Sequence, residues 1–114
     1  MTDCLFCGIA AGSIDATRVH EDDQVVAFRD INPQAPTHIL VIPREHIASA
    51  ARVDDAHDGV WARLLHVAQD LARREQVDQA GYRIVTNVGR AGGQTVDHLH
   101  LHLLGGRSMT WPPG

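Results

Sequence analysis

The stretch HLHLHLLGG places His98, His100 and His102 in alternation with leucines and closes on Gly105 and Gly106. Three of the chain's eight histidines fall within this short run. On a strand, residues two apart face the same way, so the three imidazoles share one face and Leu99, Leu101 and Leu103 share the other. Three chemistries fit such a comb. It could be the solvent face of an edge strand, a role that threonine, glutamine or charged residues fill equally well. It could bind a metal, because neutral imidazole is a common zinc ligand. It could also catalyse. An imidazole is substantially neutral near pH 7, so one ring nitrogen can attack phosphorus without an activating base, while neighbouring rings donate protons to a leaving group. The Gly-Gly-Gln-Thr segment just before the comb supports the last reading, since loop amides can bind phosphate oxygens and Thr95 adds a hydroxyl. A second set of reactive residues lies at the other end of the chain. Cys4 and Cys7 stand at Cys-x-x-Cys spacing, which in a cytoplasmic protein suggests metal or redox chemistry before a structural disulfide.

The elements that must carry these residues are legible from pattern. Cys4 to Ala11 reads as a short helix closed by Gly12. Thr17 to Glu21 and Gln24 to Arg29 read as two strands around an acidic turn. Residues 30–36, with Pro33 and Pro36, form a loop. Thr37 to Pro43 (THILVIP) is a buried strand. Val60, Trp61, Leu64, Leu65, Ala68, Leu71 and Ala72 mark one face of a long helix over Ala56 to Arg74, with Asp54, Asp55 and Asp58 suited to its start. Tyr82 to Asn87 and Asp97 to Leu104 are the last strands, joined by the flexible loop Gly89 to Gln94. The expected fold is α+β: one domain over residues 1–114, a five-stranded, mainly antiparallel sheet, one long helix and one short helix.

Composition narrows the function. The net charge is −4 and there is no basic run, which argues against binding nucleic acid by phosphate neutralisation. All ten basic residues are arginine, so no lysine can act as nucleophile and the phosphate loop ending in Gly-Lys is excluded. No apolar run approaches the ~20 residues of a membrane span. The segment MTDCLFCGIAAGS has an acid and no basic residue before its apolar stretch, unlike a signal peptide, so a cytoplasmic location is expected.

The run His98-x-His100-x-His102 resembles the signature of the histidine-triad (HIT) family. The segments AFRDINPQAPTHILVIPREHI, NVGRAGGQTVDHLHLHLLGGR and MTWPPG are similar to the branch of histidine-triad nucleotide-binding proteins. This resemblance implies cleavage at the α-phosphate of purine nucleoside phosphoramidates, releasing a nucleoside monophosphate and an amine. It implies His100 as nucleophile of a nucleotidyl-histidine intermediate, His102 at the phosphate assisting proton transfer, and His38 beside the site. Asp30 would hold the ribose hydroxyls and Ile31 would flank the base. Asn87, Gly93 and Thr95 would meet the phosphate. It implies a homodimer with a continuous sheet, the tail 107–114 near the partner subunit, and Trp111 as a cross-subunit contact. It implies structural zinc on Cys4, Cys7, His46 and His98, a closed Cys₂His₂ set. His20, His57 and His66 have no part in the pattern and are expected at the surface or on a helix. Thr95 stands where the branch commonly has serine, and Asp97 where an aromatic or apolar residue is usual. A dinucleoside polyphosphate hydrolase or nucleotidyltransferase is the nearest alternative, against which the GGR…WPPG ending argues. A non-enzymatic nucleotide- or zinc-binding partner protein, and a zinc hydrolase using all three triad histidines, are the others.

Overall fold

The computed structural model describes residues 4–114, so the first three residues of the expected domain and of the N-terminal segment lie outside it. Helix α1 (Leu5–Ala11) starts where the Cys4 sulfur accepts the Cys7 N–H at 3.3 Å. It ends at Gly12, whose φ of 84° is the left-handed conformation expected at this cap. Strands β1 (Arg18–Glu21) and β2 (Val25–Arg29) form the expected hairpin. Its acidic turn is closed by Asp22, whose carboxylate accepts the N–H groups of Gln24 and Val25. Strand β3 (Thr37–Pro43) is buried along its whole length, as its unbroken apolar run requires. Two 3-10 turns, Ala50–Arg52 and Asp55–His57, lead into helix α2 (Asp58–Arg74). Asp54 caps the second turn, and His57 completes the capping box. Strands β4 (Tyr82–Val85) and β5 (Leu101–Gly105) finish the sheet, in the order β1-β2-β3-β5-β4 with every neighbouring pair antiparallel.

Both faces of the sheet are covered. Val25, Ala27, Ile39, Val41, Leu101 and Leu103 meet the Leu64, Val67 and Leu71 stripe of α2. Val26, Phe28, Leu40 and Ile42 meet Phe6, Ile9 and Ala10 of α1. Leu65, expected on the buried face of α2, is 40 % exposed, and Val67 takes the inward place. The observed stripe 64-67-68-71-72 holds the helical period, and Leu65 lies about 100° around from Leu64.

The comb itself departs from expectation. Strand β5 begins at Leu101, not Asp97, so His98 and His100 precede the ladder. Pro43, which would face Leu99 if pairing continued, has no N–H to donate. The Leu99 N–H goes instead to the Ile47 carbonyl, and the His98 N–H to Val96. The alternation survives this irregular approach: Leu99, Leu101 and Leu103 are buried on the α2 side, and the imidazoles face α1. They are not a solvent face, because α1 lays Phe6 against them, with ring centroids 6.1 Å from His98 and 5.1 Å from His100. Among the described residues no helix is long and apolar enough to cross a membrane.

Candidate functional site

Two clusters of reactive side chains grow out of this arrangement. The first comes from β3, β5 and the chain just before β5. Register opposes Leu40 to His102 and His38 to Leu104, so His38 and His102 are diagonal neighbours. His38 Nε2 lies 2.9 Å from His102 Nδ1. The hydrogen-bond partners fix the tautomers. The Gln34 N–H donates to His38 Nδ1 at 3.0 Å, so a neutral His38 carries its proton on Nε2. That proton is donated to His102 Nδ1, which leaves the His102 proton on Nε2. His100 is set the opposite way. Its Nδ1 lies 2.7 Å from the His98 carbonyl, which can only accept, so Nε2 keeps its lone pair. Thr86 donates its hydroxyl to the His100 carbonyl at 2.9 Å and pins the same peptide.

Burial lowers the pKa of His38, with Asp30 opposing it, and Asp30 Oδ2 is 3.4 Å from His38 Nε2. His102 is pushed down to about 4, first by burial and then by the neighbouring His100 and His38. His38 and His102 are therefore held as neutral rings with defined donors and acceptors. Asp30, His38 and His102 have donor atoms close enough for a cation. The Gln34 bond weighs against one there, because His38 Nε2 must then be a protonated donor.

His100 and His102 open onto a cavity of about 460 Å³. Its walls are largely apolar, with Phe6, Ile9, Phe28 and Leu40 among them, and Asp30, Ile31 and Thr95 lie at its margin. The structure thus gathers five of the residues singled out for the nucleotide around one hollow, with His38 directly behind. Asn87, Gly93 and Trp111 are not in its lining. Gly93, with φ of 89°, donates its N–H to Arg90 within the glycine turn. Trp111 is 82 % exposed, on a tail that Arg83 of β4 holds through the Thr110 carbonyl. A larger, open hollow of about 620 Å³ runs beside Tyr82, Arg83 and Arg107 but contains no histidine or carboxylate. Chemistry, not size, selects the smaller one.

The second cluster joins α1 to the segments after β3 and before β5. His98 Nδ1 is 3.4 Å from Cys4 Sγ, 3.5 Å from Cys7 Sγ and 3.3 Å from His46 Nδ1, and Cys7 Sγ is 3.2 Å from His46 Nδ1. A tetrahedral zinc at about 2.3 Å from sulfur and 2.0–2.1 Å from nitrogen spaces its ligands by roughly 3.3–3.7 Å. The four donors fit such an ion. His98 Nε2 donates to the Pro43 carbonyl at 2.9 Å, which fixes the ring and turns the Nδ1 lone pair to the cluster. Burial is the main reason that the His98 pKa is lowered, and a neutral ring is the form a metal needs.

Sequence pattern had no signal for three supports of these clusters: the Gln34 N–H, the Thr86 hydroxyl and the Phe6 ring. Gln94 is a fourth. Its amide nitrogen bonds the carbonyls of Ala48 and Val96, and its oxygen accepts the Gly89 N–H, which closes the glycine loop. His20, His57 and His66 pair with Asp22, with Glu45 and Asp54, and with Gln69, outside both clusters.

Comparison with known proteins agrees with this geometry. The chain matches the HIT domain family over residues 11–109. It is 48 % identical over 112 residues to the 14 kDa zinc-binding protein of Zea mays, covering 96 % of this chain and 87 % of that one. It is 46 % identical over 112 residues to adenylylsulfatase HINT1 of Arabidopsis thaliana, covering 96 % and 76 %. A HIT family hydrolase from Legionella pneumophila superimposes with a TM-score of 0.97 at 56 % identity, covering 98 % of this chain and all of the other.

Proposed function

The chain belongs to the HIT domain family, and from that premise we propose that it hydrolyses purine nucleoside phosphoramidates at the α-phosphate. One observation carries the reading: the Nδ1–H of His100 is held by the His98 carbonyl, so the nucleophilic Nε2 lone pair is kept beside His102 at a largely apolar cavity. His100 Nε2 attacks phosphorus and the P–N bond breaks. The substrate's bridging nitrogen arrives protonated, so the amine departs neutral while the Nε2–H of His102 donates a hydrogen bond to its developing lone pair. Positive charge on the nucleotidylated His100 ring is stabilised through Nδ1–H by the same carbonyl. Water then attacks phosphorus, loses one proton to solvent, and releases the nucleoside monophosphate and neutral His100. His38 keeps His102 in the donating tautomer throughout.

Asp30 accepts the ribose hydroxyls, Ile31 covers the base, and Asn87, Gly93 and Thr95 meet the phosphate. Full exposure of Ile31 on the cavity margin supports its role, because a bound base would remove that apolar surface from water. Cys4, Cys7, His46 and His98 hold zinc, which organises the approach to β5. The half-buried edge strand β4 joins its counterpart in a homodimer, and Trp111 reaches the partner's site. The protein works in the cytoplasm. The adenylylsulfatase relative favours a second leaving group, sulfate on an adenylyl phosphate, which the same nucleophile can displace.

The test is release of AMP from adenosine 5′-phosphoramidate at pH 7 by wild type and by His100→Ala. Loss of the nucleophile should lower kcat/KM by about a thousand-fold or more. Equal turnover in both would end the assignment. Turnover of adenylyl sulfate alone would transfer it to the second leaving group.

A further inference from the structure

Asp15 is a second carboxylate on the cavity wall, and the chemistry above leaves it unused. It lies between α1 and β1. The Arg29 N–H donates to the Thr17 carbonyl at 2.9 Å, so the antiparallel run of β1 and β2 continues past the strand ends. Residues before Thr17 therefore lie beside residues after Arg29, which brings Asp15 to the Asp30–Ile31 end of the cavity. The two acids there differ in what they already do. Asp30 accepts the Asn32 N–H at 2.8 Å and faces His38. The Asp15 carboxylate has no hydrogen bond or ion pair among the described residues and is exposed. Its neighbours on the wall are apolar: Leu5, Ile9, Ile14 and Phe28.

Apolar walls suit the faces of a purine and do not discriminate one purine from another. Discrimination needs a polar group at the base edge. A carboxylate accepts and cannot donate. The Watson–Crick edge of guanine offers two adjacent donors, N1–H and the N2 amino group, and a carboxylate can take both. Adenine offers its N6 amino group beside an N1 lone pair, which a carboxylate repels. Resting on the nucleotide reading of the cavity, we infer that Asp15 determines base specificity and selects guanine over adenine nucleotides.

The experiment measures Kd for GMP and AMP by calorimetry, with kcat/KM for guanosine and adenosine 5′-phosphoramidates, in wild type, Asp15→Ala and Asp15→Asn. Wild type should favour the guanine compound by about ten-fold, since charge-assisted hydrogen bonds are the strong ones and this one is partly solvated. Asp15→Ala should bring the ratio close to one. Asp15→Asn should tilt it toward adenine, because an amide can accept from N6 and donate to N1. A wild-type ratio near one, or a ratio unchanged in both variants, would overturn the inference, leaving Asp15 a solvated turn residue and the nucleotide reading intact. Failure of wild type to bind either nucleotide would overturn both. Circular dichroism and melting of the variants guard against misfolding, which is not expected at an exposed turn.

Discussion

His98 and His100 are separated by one residue, yet each ring turns a different nitrogen toward its work. His98 gives Nε2–H to the Pro43 carbonyl and presents Nδ1 to two sulfurs and His46. His100 gives Nδ1–H to the His98 carbonyl and presents Nε2 to the cavity. In both cases a backbone carbonyl chooses the tautomer, and the tautomer chooses the chemistry. The surroundings differ as well. The proposed metal cluster draws on three separate segments and ties the start of α1 to the approach to β5. The proposed reaction cluster joins His100, just before β5, to the β3–β5 ladder, where regular pairing fixes His38 against His102. One residue type serves both because the imidazole's second nitrogen is assigned by whatever the first one touches.

The two regions should fail differently. The largest effect on stability belongs to the metal cluster. Cys7→Ser should lower zinc from about one per chain to a small fraction and melting by roughly 10 °C or more, since structural zinc contributes folding free energy directly. Metal analysis and a thermal scan check this. In the reaction cluster, His38→Phe should leave zinc in place but lower kcat about a hundred-fold, because His102 loses the donor that fixes its tautomer. A zinc loss in that variant would join the two regions into one.

Acid should act on the reaction cluster before it reaches the carboxylates. The pKa of His102 is held at about 4, well below that of an exposed imidazole. Between about pH 6.5 and 4 the unfolded chain therefore takes up a proton that the folded chain refuses. The associated stability is complete above that window and is lost as pH falls through it, by up to about 1.4 kcal/mol per pH unit for this group. Urea unfolding at stepped pH should show a shallower slope in His102→Asn than in wild type. The carboxyls of Glu75 and Asp22 are both held below their ordinary values. The pKa of Glu75 is lowered chiefly by its hydrogen bond to Arg29. Burial of Asp22 is outweighed by His20, the Gln24 and Val25 amides and Arg63. The smallest effect is expected from Thr86→Val, which removes one neutral hydrogen bond to the His100 peptide. It should lower kcat about three- to ten-fold with KM and zinc unchanged.

Much of this division was legible in the chain itself. THILVIP defines β3 to the residue, because a largely apolar run rich in β-branched residues suits a strand buried on both faces. Gly12 and the acidic turn at Asp22 mark their elements through backbone chemistry that is local. The comb's alternation identifies which side chains travel together. What alternation could not reveal was that β5 starts only at Leu101, since that depends on Pro43 and Ile47, distant in sequence. Nor could it show Phe6 covering the imidazoles, or the Gln34 N–H setting a proton two rings away. These are tertiary contacts of single groups and leave no periodic trace. The same holds for Leu65, where the helical period allowed two neighbouring stripes and packing chose the one through Val67.

The most direct test of the division is zinc content measured beside turnover of adenosine 5′-phosphoramidate in His98→Ala and His100→Ala. The expected result is that His98→Ala loses most of its zinc, while His100→Ala keeps about one zinc per chain and loses turnover. Full zinc in His98→Ala, or loss of zinc in His100→Ala, would contradict the assignment of one imidazole to the metal and its neighbour to phosphorus.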